Sequence, residues 1–109
     1  MNTFGISDQT YQLIKQVFIS IPVIEKVILF GSRAKGNYKD GSDIDLAIFG
    51  KNCTPGLAME INAKLNEELP IPYFVDVIDY LSLRHPDLKE HIDRVGIEFY
   101  KKQAELFSP

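Results

Sequence analysis

Cysteine is nearly absent from this chain, basic residues are in the minority, and no apolar run is long. The lone Cys53 cannot close an internal disulfide, which points to a reducing cytoplasm. With no histidine beside it in sequence, it reads as an inert structural thiol. Lys and Arg number 12 against 15 Asp and Glu, leaving a net charge of −3 with no basic stripe. Binding to a polynucleotide through many phosphates is therefore disfavoured. Runs such as Val27-Ile28-Leu29-Phe30 stop far short of the roughly 20 apolar residues that span a bilayer. Met1-Asn2-Thr3-Phe4 also lacks the basic-then-apolar layout of a signal peptide. These features predict a cytoplasmic protein without a membrane partner. Its 109 residues are expected to form one domain, residues 1–109, around one core.

The apolar pattern is ordinary and legible. Ser7 is a plausible cap for a helix to about Ser20, whose Leu13, Ile14, Val17, Phe18 and Ile21 repeat at helical spacing. Val27-Ile28-Leu29-Phe30 predicts a strand buried on both faces, broken by Gly31 and Ser32, where a brief helical turn could follow. Residues 43–49 read as a second strand. Thr54-Pro55 opens a helix bearing Leu57, Ile61, Leu65 and Leu69, closed by Pro70 and Pro72. Residues 73–78 predict a third strand and residues 87–95 a helix, with Gly96 suited to a left-handed cap. Residues 97–100 suggest a last edge strand, and residues 101–109 a loosely held tail. The order α-β-β-α-β-α-β suits a small mixed β-sheet flanked by helices, an α+β arrangement within the broader α/β class, more than a doubly wound parallel sheet.

Chemistry concentrates in two places. Gly31-Ser32-Arg33-Ala34-Lys35-Gly36 follows a buried strand, and ten residues separate Ser32 from Asp43-Ile44-Asp45. Gly31 allows a ligand close to the backbone, Ser32 offers a hydroxyl, and Arg33 and Lys35 could bring charge to phosphates. Arg33 could equally pair with a carboxylate and brace the loop. In a strand, Asp43 and Asp45 share a face while Ile44, Leu46 and Ile48 take the other. Two such carboxylates are either solvated acids on an open face or hard oxygen ligands for Mg²⁺. Asp76, set in Phe74-Val75-Asp76-Val77-Ile78, is costly to bury unless paired or metal-bound. Asp79 falls at the strand's end, where exposure or a turn is expected. If the second and third strands are neighbours, Asp76 completes a cluster for two ions and is well placed to accept a proton. His85, before Pro86, and His91, in a charged helix, read as solvated surface residues.

Together, Phe30-Gly31-Ser32, Asp43-Ile44-Asp45 and Asp76 resemble the nucleotidyltransferase superfamily related to DNA polymerase β, and most closely its minimal prokaryotic nucleotidyltransferases. The resemblance implies that fold and the transfer of AMP from Mg²⁺-bound ATP to a hydroxyl. It assigns Asp43, Asp45 and Asp76 to two Mg²⁺ ions, and Gly31 and Ser32 to the β- and γ-phosphates. Only 33 residues follow Asp76, whereas larger relatives append helical domains for the base and acceptor. Minimal members resemble the antitoxin half of a toxin–antitoxin pair whose toxin is a helical HEPN protein modified on a tyrosine. A HEPN-type partner, in a hetero-oligomer or beside a homodimer, is thus implied. The alternatives are a non-catalytic antitoxin acting by complex formation, and nucleotidyl transfer to a small hydroxyl compound.

Overall fold

The computed structural model describes residues 4–103. Helix α1 spans Asp8–Ile19, and the Ser7 hydroxyl accepts the Thr10 N–H at its start. Strand β1 spans Lys26–Phe30, the single turn α2 Ser32–Lys35, and strand β2 Ile44–Phe49. Helix α3 covers Pro55–Ala63 and runs on as a π-helical turn over Lys64–Glu68. Strand β3 is Val75–Asp79, followed by a 3₁₀ turn at Tyr80–Ser82, helix α4 at Pro86–Val95 and strand β4 at Ile97–Lys101. No helix among the described residues is long and apolar enough to cross a membrane.

The four strands form one mixed sheet in the order β3-β2-β1-β4. β1 runs antiparallel to both β2 and β4, while β2 and β3 are parallel. Alternation along the strands divides the apolar side chains between two layers. Val27, Leu29, Ile44, Leu46, Ile48, Val75 and Val77 pack under α1 and α3 through Ile14, Val17, Phe18, Ala58, Ile61 and Leu65. On the opposite face Phe30 and Ala47 pack with Ile92 of α4. The expected mixed sheet with helical cover is therefore found, with helices on both faces.

Three local expectations change. Gly96 has φ −59°, so it is not a left-handed cap. A Cβ there would overlap the Ile92 carbonyl and an Ile28 methyl, so glycine lets α4 lie close on β1. Lys101 belongs to β4, and the Lys102 N–H donates to the Glu25 carbonyl at 2.9 Å, so the loose tail does not begin at residue 101. The rest of that expected tail, residues 104–109, lies outside the described residues. Cys53 is buried, and burial pushes its thiol pKa up, as expected of an inert cysteine.

β3 lies at one edge of the sheet, and two asparagines serve its outer backbone. The Asn62 amide accepts the Val77 N–H at 2.7 Å and donates to the Val77 carbonyl at 2.8 Å. The Asn66 amide does the same for Val75 at 2.8 and 2.7 Å, and also donates to the Asn62 carbonyl. Asn66 lies in the π-helical turn, one α-helical turn beyond Asn62, so the two amides step along β3 together. Replacing Asn66 by Ala strands both backbone groups of Val75. Urea denaturation should show a loss of about 2 kcal/mol; an unchanged midpoint would mean that water substitutes for the amide.

Candidate active site

The sheet register sets three residues in one row. Phe30, the last residue of β1, pairs with Asp45 on β2, which pairs with Asp76 on β3. All three lie on the α4 face, since Phe30 packs with Ala47, two residues from Asp45, and Ile78, two from Asp76, joins the same layer. Asp43, immediately before β2, is exposed. Asp45 is half-buried and its pKa is pushed up to about 6. The causes are burial first, then the charge of Asp76, then that of Asp43. The charges of Asp76 and Asp43 thus both bear on Asp45.

Asp76 itself corrects an expectation. It is exposed, while Asp79 is buried and accepts the Ser82 hydroxyl at 2.7 Å. Parity is the reason: Val75, Val77 and Asp79 face the main core, so Asp76 must face the other way. The desolvation cost assigned to Asp76 falls on Asp45 instead.

Gly31 stands at the end of β1 with φ +76° and ψ −158°, a conformation that side chains essentially exclude. A Cβ here would overlap the Asp45 carboxylate, so the turn and the acid are in direct apposition. Ser32 opens α2, partly accessible, and Lys35 at its end is exposed.

Arg33 does not meet its expectation as a phosphate ligand. It is only 2% exposed. Its Nε and Nη2 donate to the Ser42 carbonyl at 3.1 and 2.8 Å, and Nη1 donates to the carbonyls of Phe4 and Gly5 at 2.9 and 3.3 Å. The guanidinium also lies over the rings of Tyr38 and Tyr73 at 4.9 and 4.8 Å. It is the loop brace that was the alternative, built on carbonyls and rings. Arg33 and Lys35, two positions apart on one turn, are buried and exposed respectively, which a linear motif does not reveal.

His91 is not the solvated surface residue that its charged helix suggests. From α4 its Nε2 accepts the Gly31 N–H at 3.1 Å, and its ring meets the Phe30 ring edge-on at 6.1 Å. Sixty positions separate the partners, and nothing in the local sequence marks them. His85 is exposed, as expected, and its Nδ1 accepts the Leu88 N–H as the cap of α4.

The donor set fits magnesium. Asp45 and Asp76 are paired across the sheet, Asp43 is near enough for its charge to act on Asp45, and among the described residues none of the three has a cationic partner. No ready-made group of three or more His, Cys, Asp or Glu ligands exists among these residues. Mg²⁺ does not require one, because substrate phosphates and water complete its shell.

The sequence model of the family described as polymerase beta, nucleotidyltransferase matches residues 12–105. A Haemophilus influenzae protein named "Probable protein adenylyltransferase MntA" is 28% identical over 104 residues, covering 95% of this chain and 90% of that relative. A crystal structure of a toxin–antitoxin with AMP-PNP superposes with a TM-score of 0.68 at 22% identity, over 90% of this chain and 76% of that one. A crystal structure of the toxin–antitoxin MntA-HepT gives 0.66 at 20% identity, over 88% and 74%. At such identities the two structures bear on the fold.

Proposed function

Because this chain belongs to the polymerase beta nucleotidyltransferase family, we propose that it transfers AMP from ATP to a hydroxyl of a partner toxin and so acts as an antitoxin. The observation that carries this is the apposition of Gly31 to Asp45 within the cross-strand row that ends at Asp76. The likeness to a protein adenylyltransferase over nearly the whole chain supports it.

In this reading Asp43, Asp45 and Asp76 hold Mg²⁺. The ions would neutralise the triphosphate and the charge that develops on transfer. Gly31 lets the β- and γ-phosphates come close to the backbone and Ser32 donates to them, with exposed Lys35 close enough in sequence to add charge. The acceptor oxygen, a tyrosine hydroxyl of a HEPN-type toxin, bonds to the α-phosphorus as the bond to pyrophosphate breaks. Its proton passes to Asp76, whose exposure suits a base that must meet another protein. Residues 1–109 serve as one nucleotidyltransferase domain working in the cytoplasm.

The test is incubation with ATP labelled at the α-phosphate, Mg²⁺ and the partner protein. Label should move to the partner, and chelation should stop it. Undiminished transfer by an Asp43→Asn/Asp45→Asn variant would refute this site. Full protection of cells by that variant would instead favour neutralisation by complex formation.

A further inference from the structure

The geometry points to His91 as the positioning residue of the glycine–serine turn, an inference that rests on the nucleotide reading above. The Phe30–Gly31 peptide lies between two fixed objects. On one side the Asp45 carboxylate leaves no room for a Cβ on Gly31. On the other side His91 Nε2 takes the Gly31 N–H. A glycine at φ +76° has no side chain to hold its peptide plane, and the low rotational cost that permits this turn would also permit others. The histidine supplies the missing constraint. Its ring is in turn seated edge-on against Phe30, in the layer anchored by Ile92 of the same helix.

Two consequences follow from the chemistry of imidazole. Only a neutral ring carrying its proton on Nδ1 can accept at Nε2, so the bond specifies one tautomer. With the Gly31 N–H committed to His91, the donors left at the turn are those that follow, beginning with the Ser32 N–H and hydroxyl. His91 thereby fixes which way Ser32 faces relative to Asp45. It acts on the nucleotide through the backbone, without touching the phosphates.

Binding of Mg·ATP to the full chain, measured by calorimetry, separates this from a packing role when two variants are compared. His91→Phe keeps a ring against Phe30 and removes the acceptor; His91→Gln replaces the ring and keeps an acceptor near the Nε2 position. The expected result is about a tenfold weaker affinity for His91→Phe, with transfer at saturating ATP nearly unchanged, and recovery of most of that loss in His91→Gln. Wild-type affinity in His91→Phe, or an equal loss in both variants, would overturn the inference. Failure of the wild-type protein to bind Mg·ATP would overturn the nucleotide reading itself, and the inference with it. Should His91→Phe not fold, nitrogen NMR of the wild-type protein decides. A coupling across the hydrogen bond between the Gly31 amide and His91 Nε2 supports the proposal, and its absence refutes it.

Discussion

Asp45→Asn should abolish AMP transfer and, at the same time, make the protein harder to unfold. The loss of activity is expected to reach about 10²–10³-fold, the scale on which removing one preorganised electrostatic contact acts. The gain in stability follows from the charge that the site otherwise carries. The Asp45 pKa is raised to about 6 by burial and by the charges of Asp76 and Asp43, against about 3.9 for an unfolded aspartate. Between these values the folded state binds the proton more tightly than the unfolded state, so stability falls as pH rises through this window. Below about pH 3 both states are protonated and the penalty vanishes; above about pH 7 it is complete. Allowing for the water that still reaches a half-buried carboxylate, it is on the order of 1–2 kcal/mol. Denaturation of wild type and Asp45→Asn should therefore give coincident curves at pH 3 and a more stable variant at pH 7.5. Mg²⁺ should close the gap at pH 7.5 by stabilising the wild type. A variant less stable than wild type at pH 7.5 would show that Asp45 is held by contacts rather than strained by its neighbours.

The second large effect belongs to Arg33, and it should appear as lost stability, with any change in nucleotide affinity secondary. Its guanidinium joins the Phe4–Gly5 backbone to the Ser42 carbonyl, immediately before Asp43. Arg33→Ala leaves three buried or part-buried carbonyls short of donors and empties the space between two tyrosine rings. A loss of about 3–5 kcal/mol is expected, a large share of the 5–15 kcal/mol typical of a domain. Arg33→Lys should recover less than half of this, because one ammonium cannot span two carbonyl groups in a fixed fork. Chemical denaturation measures both. A lysine variant with wild-type stability and lost affinity for ATP would return Arg33 to the phosphates.

The contrast between these two residues shows what was legible in advance. Strand parity puts Asp45 opposite Ile44 and Leu46, on the face away from the main core, and the buried runs make β1 and β2 readable. The same parity, applied to Val75 and Val77, would have turned Asp76 outward and Asp79 inward. An isolated acid in an apolar run conceals this, because the run alone does not say which face is the core. The roles of Arg33 and His91 are hidden in the sequence for a different reason. Each is defined by a backbone group far away in the chain, Phe4 for one and Gly31 for the other. Helix periodicity says that His91 lies on α4 but not what α4 covers. Gly96 shows the same limit: its glycine answers to Ile28 across the sheet rather than to a left-handed turn.

The asparagines on β3 also decide how another protein can approach. Asn62 and Asn66 imitate a fifth strand, and an incoming peptide that sought to extend the sheet there would have to displace four hydrogen bonds. This sealed margin is the one nearest the acids. The opposite edge, β4, stands two strands from β2, about 10 Å away. Strand addition therefore cannot deliver an acceptor to Asp45 and Asp76. The reacting group has to descend on the sheet from above, as a protruding side chain.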